Sequence, residues 1–157
     1  MRLTQWTDYS LRVLMYCAQC ESLQTVATIQ TIADQHDISK SHLTKIVMTL
    51  AADGYLLTSR GRGGGIRLGR PASQIVLGEV VRKTETDFQM VECFGDVPSS
   101  CALMPACYLK QILAEALDAF WAKLDGVTLA DLMNITQERL PGFQALTFQP
   151  KALKVKA

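Results

Sequence analysis

The sequence predicts a mainly α-helical chain with one small β-hairpin. Three observations predict it. Apolar residues recur at helical spacing in several separate stretches, two short β-type runs flank a glycine-rich tip, and positive charge gathers over one helix and that tip.

The first helix is expected from about Thr7 or Asp8 to Cys20, with Leu11, Leu14, Met15 and Ala18 on one face and Val13 and Tyr16 widening it. On local grounds Asp8 is a helix cap or a first-turn acid. A short helix follows from about Thr28 to Gln35, with Ile29, Ile32 and Ala33 inward, and His36-Asp37-Ile38 makes a turn. Ser39 then caps a third helix to about Asp53, with Leu43, Ile46, Val47 and Leu50 at i, i+3, i+4 and i+7. Gly54 suits the left-handed position that ends it. The β-type runs are Tyr55 to Ser59 and Ile66 to Leu68, around the tip Arg60-Gly61-Arg62-Gly63-Gly64-Gly65. This order is that of a winged helix-turn-helix, with Pro71 closing the unit.

Ile75 to Lys83 makes another helix, interrupted in pattern by Gly78. Residues 85 to 104 read as loop, containing Gly95, Pro98, Ser99 and Ser100. A long helix follows, with Pro105 suited to its first turn. Its apolar stripe is Leu109, Ile112, Leu113, Ala116, Leu117, Phe120, Trp121 and Leu124, and Gly126 ends it. Phe120 and Trp121 are core or interface residues. Thr128 caps a short helix through Met133, and the tail beyond Gln137, with Pro141, Gly142 and Pro150, is loose.

The formal net charge of the 157 residues is only +1, but it is unevenly spread. From Lys40 to Arg70 there are six basic residues and one acid, Asp53, a net +5, while the remainder carries −4. A basic segment that coincides with a helix-turn-helix and its wing implies double-stranded DNA as partner. The start of the third helix presents Ser39, Lys40, Ser41, His42 and Lys45 to the major groove. The wing adds Arg60, Arg62 and Arg67, and glycines such as Gly64 let the backbone approach closely. The glycine run is no P-loop, because no Lys-Ser/Thr follows and it precedes a strand. No catalytic pair or cofactor loop suggests an enzyme. No signal segment and no apolar run of roughly 18 residues is present, so a cytoplasmic protein with no membrane partner is expected.

Five cysteines divide into two groups. Cys17 and Cys20 lie on the apolar first helix and are expected as buried small hydrophobes. Cys93, Cys101 and Cys107, spaced C-x7-C-x5-C, lie in or beside the loop before the long helix, with Cys107 expected in that helix's first turn. Three thiols converging from a loop suit an iron–sulfur cluster. Zinc would usually take a nearby His or a fourth Cys, and the segment has neither. The alternative is a set of thiols without metal.

The stretches MRLTQWTDYSLRVLMY, RGRGGGIRLGRPA and the three-cysteine segment together resemble the BadM/Rrf-two family of winged-helix transcription regulators, over about residues 1–133. CALMPACYLKQIL and LDGVTLADL look most like its nitric-oxide-sensing repressors. The resemblance implies a homodimer on a palindromic operator, with the long helix crossing its partner. It implies an iron–sulfur cluster, [4Fe–4S] favoured and [2Fe–2S] the alternative, held by Cys93, Cys101 and Cys107. In the nitric-oxide-sensing branch an acid from the first helix of the partner subunit can complete the set, and Asp8 stands at that place. A histidine-ligated branch is not matched, because Tyr108, Leu109 and Lys110 follow the third cysteine. The seven-residue gap and the preceding VECF are closer to the iron-responsive branch, so iron supply or thiol redox state is the alternative signal. The resulting plan is a winged helix-turn-helix over 1–83, a cysteine-bearing cluster loop over 84–107, a dimerisation helix region over 108–133, and a flexible tail over 134–157.

Overall fold

A computed structural model of the chain describes residues 2–61, 63–95, 101–104 and 106–139. Arg62, Pro98, Ser99, Ser100, Pro105 and the tail from residue 140 onward therefore lie outside the described residues. The element order is α1 (Gln5–Ser22), α2 (Ile29–His36), α3 (Lys40–Ala52), β1 (Leu56–Ser59), β2 (Gly65–Leu68), α4 (Leu77–Thr84), α5 (Tyr108–Asp125) and α6 (Leu129–Arg139). Single 3-10 turns lie at Ala72–Gln74 and Glu92–Phe94.

Helix α1 starts before Thr7 because Thr4 is its cap, and the Thr4 hydroxyl accepts from the Thr7 N–H at 3.3 Å. Asp8 is thereby a first-turn acid. Thr28 and Thr31 form a reciprocal capping box that starts α2. Asp37 ends α2 in the left-handed conformation, at φ 53°, and Ser39 caps α3. Ile38, buried between them, fixes the turn to the core.

Val13, Leu14 and Cys17 of α1, Ile32 of α2, and Leu43, Ile46 and Leu50 of α3 are fully buried in one cluster. Truncating one such Leu or Ile to Ala typically costs about 2–5 kcal/mol. The two strands pair antiparallel, with Leu56 opposite Leu68 at the base and Ser59 opposite Gly65 at the tip. Ile66 also donates its N–H to the Ala27 carbonyl at 2.8 Å, so the wing is stitched to the segment before α2.

Helix α4 begins at Leu77, later than the apolar pattern alone suggests. Ile75 and Val76 are extended and are used in a backbone ladder with residues 127–129 instead. Leu77 donates to the Val127 carbonyl at 3.0 Å, and Leu129 donates to the Ile75 carbonyl at 2.8 Å. Leu129 is fully buried in the core and α6 packs on α1, so the segment after α5 returns to the DNA-binding unit. Helix α6 runs past Met133 to Arg139, because no proline or glycine interrupts the sequence before Pro141. No helix among the described residues is long and apolar enough to cross a membrane.

Gly78, which weakened the helical pattern of α4, has a packing reason. A Cβ there would overlap Asp125 Oδ1. Asp125 is not free to yield, since Arg82 grips both its oxygens at 2.5 and 2.7 Å and stacks over Trp121 at 4.1 Å. The Arg82 hydrogen bonds hold the Asp125 carboxyl below the usual carboxylate range. Trp121 meets Phe88 edge-on at 4.4 Å, so α4, α5 and the chain after α4 close around one aromatic.

Cys17 and Cys20 are buried as expected, and burial pushes both thiols up, away from thiolate formation. Gly78→Ala should lower stability by about 1–3 kcal/mol by chemical denaturation. In an Asp125→Ala background the same change should be neutral or stabilising, because alanine favours helix. Iodoacetamide applied to the native metal-free chain should label Cys93, Cys101 and Cys107 and spare Cys17 and Cys20 until the protein is unfolded, as read by peptide mass spectrometry.

Candidate nucleic-acid interface and cysteine segment

The core-facing side of α3 is set by Leu43, Ile46, Val47 and Leu50. The 100° step of a helix then sends Ser41, Thr44, Lys45 and Met48 to the opposite side, and all four are exposed. Ser39 and Lys40, at the start of the helix, are exposed as well. The Ser39 hydroxyl accepts from the His42 N–H at 3.4 Å and so is partly spent on capping. His42 lies on a flank rather than on the outward stripe. It is half-buried, with its ring 5.8 Å from Trp6 and 5.3 Å from Tyr9 of α1. Thr44 and Met48 were not singled out from sequence, although the spacing that identified the core side of α3 also defines this opposite stripe.

In the wing, Arg60 and Arg67 are exposed. Arg67 stands across the strand pair from Leu57, itself 63% exposed. Arg62 lies outside the described residues. Gly64 donates to the Gly61 carbonyl at 3.0 Å, and a Cβ on it would overlap the Ser59 carbonyl. Glycine is therefore required there by closeness of backbone to backbone. Arg70, the last cation of the basic window, is half-buried and engaged by its own chain. Its guanidinium lies 4.5 Å over the Tyr55 ring and pairs with Glu79 at 3.2 Å. Burial is the largest influence on the Tyr55 phenol and raises it, while Arg70 opposes that shift.

Asp8 sits on α1 with its side chain 45% exposed and is paired with Arg12 at 2.8 Å. At the cap and the same first turn, the end of α4 is tied to this helix. The Glu85 carboxylate accepts from the Thr4 N–H at 2.9 Å, the Thr4 hydroxyl at 3.2 Å and the Thr7 hydroxyl at 2.8 Å. Nothing local in the sequence announces Glu85, because its partners lie 78 and 81 residues away.

Cys107 caps α5 from outside the helix rather than standing in its first turn, and its side chain makes no capping hydrogen bond. It lines a cavity of about 440 Å3 with Lys110 and Ala114. Cys93 lines a neighbouring cavity of about 660 Å3 with Phe88, Leu117 and the same Lys110 and Ala114. Two of the three thiols thus flank the first turns of α5. Cys101 is exposed. None of the five cysteines is in a disulfide. Three cysteine side chains outside the core are a donor set that fits an iron–sulfur cluster chemically. Among the described residues, however, no three His, Cys, Asp or Glu side chains are gathered closely enough to hold a metal ion. The apolar stripe of α5 is only partly covered in the single chain, by α4 and Phe88 around Trp121, and is most open in its first turns. None of its residues is buried, and Leu109 and Ile112 are 61% and 41% exposed.

Comparison with known proteins matches these features. The Rrf2 family model, described as iron-dependent transcriptional regulator, matches residues 3–135. The transcriptional regulator NsrR of Bacillus subtilis (strain 168) is 51% identical over 134 residues, 85% of this chain and 91% of that protein. NsrR of Geobacillus kaustophilus (strain HTA426) is 46% identical over 134 residues, 85% of this chain and 90% of its own length. Among solved structures, CymR, the global cysteine regulator of B. subtilis, superposes with a TM-score of 0.70 at 25% identity, covering 85% of this chain and 97% of that one. IscR of T. potens superposes with a TM-score of 0.69 at 20% identity, covering 88% and 90%, and supports the fold alone. With the winged helix, the exposed basic surface and a family match across most of the described residues, the chain belongs to the Rrf2 family of transcriptional regulators and is not an enzyme.

Proposed function

We propose that the chain is a homodimeric iron–sulfur repressor that binds a palindromic promoter sequence and leaves it when nitric oxide damages the cluster. The observation that carries the DNA-binding half is the α3 stripe, which points away from the core on a helix with two lysines and no acid, beside a wing with exposed Arg60 and Arg67. Ser39, Lys40, Ser41 and Lys45, with Arg60, Arg62 and Arg67, would contact phosphates and base edges. His42, backed by Trp6 and Tyr9, would set the angle of α3 and reach the backbone from its flank. Gly64 would bring the wing close to the duplex. Two such units on a dimer would meet half-sites about 34 Å apart. The open first turns of the α5 stripe, at Leu109 and Ile112, support the dimer, since exposed apolar surface on a helix gains by packing on a second copy.

Cys93, Cys101 and Cys107 would hold the cluster, [4Fe–4S] in preference to [2Fe–2S], with Asp8 of the partner subunit as fourth ligand. When bound, the cluster supplies iron that nitric oxide can attack. The remaining chemistry is this chain's own. To serve as a ligand, the Asp8 carboxylate must exchange its Arg12 partner for the partner subunit's site. Helix α1 would feel that exchange at its first turn, where Glu85 also grips it through Thr4 and Thr7. The same helix backs His42 of α3 through Trp6 and Tyr9. A shift of α1 would thus tilt α3 and spoil the half-site spacing. Couplings of this kind are typically about 1–3 kcal/mol, a 5- to 150-fold change in affinity. The likeness of CALMPACYLKQIL and LDGVTLADL to nitric-oxide-sensing repressors supports nitric oxide as the signal. The family's description as iron-dependent favours one second reading, release on iron depletion.

Anaerobic titration of the reconstituted protein with nitric oxide, following absorbance and promoter binding together, should show DNA released as the visible bands are lost. Release by iron chelation but not by nitric oxide would favour the second reading, and a colourless, iron-free anaerobic preparation that still switches with thiol oxidation would replace both. Asp8→Ala should lower the cluster's effect on DNA affinity at least about 5-fold with an unchanged thermal midpoint of the metal-free chain. Unchanged cluster retention and unchanged DNA affinity would remove Asp8 from the ligand set. Lys45→Ala or Arg67→Ala should each reduce the slope of log binding constant against log salt by about 0.9 for each phosphate that is no longer neutralised.

A further inference from the structure

We infer that Thr44 and Met48 read thymine methyl groups in the major groove and so help set the sequence preference of the protein. The inference rests on the DNA-binding reading of α3 and specifies what that helix recognises. On the outward stripe of α3, Ser41 and Lys45 can make polar contacts, whereas Met48 cannot donate a hydrogen bond and is 68% exposed. Thr44 is nominally polar, but its hydroxyl donates back to the Lys40 carbonyl at 2.7 Å. With that donor committed to the helix, Thr44 has no hydrogen to give to a base and offers its methyl beside an oxygen that can only accept. Positions 44 and 48 are one turn apart and therefore neighbours on the surface. The stripe thus carries two adjacent apolar groups beside cations. Lys40 and Lys45 share the exposed surface, and α3 contains no carboxylate.

That charge pattern selects the occupant. The chemistry required is a polyanion that displays small apolar groups at fixed positions among hydrogen-bonding ones. Duplex DNA does this in the major groove, where the C5 methyl of thymine is the apolar group on a base edge. Apolar contact with that methyl discriminates thymine from the other bases without any hydrogen bond. The thioether of Met48 is long, unbranched and adaptable, and suits a methyl whose position varies slightly between operators.

The test uses the full chain, purified anaerobically, and the duplex that it enriches from a randomised pool. Each thymine of that duplex is replaced singly by deoxyuridine, which removes the methyl and keeps every hydrogen-bonding group. Affinity should fall about fourfold for each methyl contacted, the value expected for burying about one methyl-sized group. Thr44→Ser and Met48→Ala should each bind the thymine and uracil duplexes equally at one position. Both should keep the parent's salt slope and thermal midpoint, because both side chains are exposed and the slope reports phosphate contacts. Indifference of the parent to uracil at every position would overturn the inference and leave DNA binding intact. Discrimination that survives in both variants would overturn it too. Failure to enrich any duplex with salt-sensitive binding would overturn the DNA-binding reading itself, and this one with it.

Discussion

Helix α1 is buried along one face at Val13, Leu14 and Cys17, and the rest of the chain is organised by what packs on it. Helices α3, α4 and α6 and strand β2 all meet it. Its remaining sides are occupied differently. The cap and first turn receive Glu85 from the end of α4 at Thr4 and Thr7, the same first turn presents Asp8 paired with Arg12, and Trp6 and Tyr9 lean on His42 of the recognition helix. A rigid helix shared by the core, by the chain that leads to the cysteines and by the DNA-reading element is a mechanical constraint. A displacement at one end is not absorbed locally, because close-packed interiors have few voids into which side chains can retreat.

The charge distribution follows from the same arrangement. The basic window from Lys40 to Arg70 is not uniform in use. Arg70 is consumed under Tyr55 and beside Glu79, holding the wing's base to α4. Among the described residues of that window, the cations that stay exposed are Lys40 and Lys45 of α3 and Arg60 and Arg67 of the wing. Surface ion pairs such as Asp8–Arg12 and Lys83–Asp53 contribute little stability each, so their worth lies in where they hold a side chain. The Arg82–Asp125 pair is the more constrained case. It is bidentate, stacks on Trp121, and explains why a glycine is needed on α4.

Much of the architecture was legible from local patterns. The period of Leu43, Ile46, Val47 and Leu50 defines α3, Ser39 its start, and the glycine-rich tip the wing, because each depends only on residues within a turn or a hairpin. The burial of Cys17 and Cys20 followed from their place on an apolar face. Less legible were the features made by distant residues. The start of α4 is delayed because Ile75 and Val76 pair with residues 127–129. Helix α6, read from sequence as a short helix through Met133 within the dimerisation region, returns to the core through Leu129. The flank position of His42 depends on α1 aromatics more than 30 residues away in the chain.

The sequence by itself determined the helical order, the wing, the basic window and the division of five cysteines into two core residues and three in the loop segment. These are properties of spacing, composition and short-range stereochemistry. Only the tertiary structure decided that Glu85 grips Thr4 and Thr7, that Arg70 is withdrawn from the basic surface, and that Thr44 turns its hydroxyl inward while Met48 stays exposed. The reason is physical. A hydrogen bond or a stacked cation is settled by which groups the folded backbone brings within about 3 to 6 Å of each other, and for residues far apart in the chain that distance is set by the packing of the core.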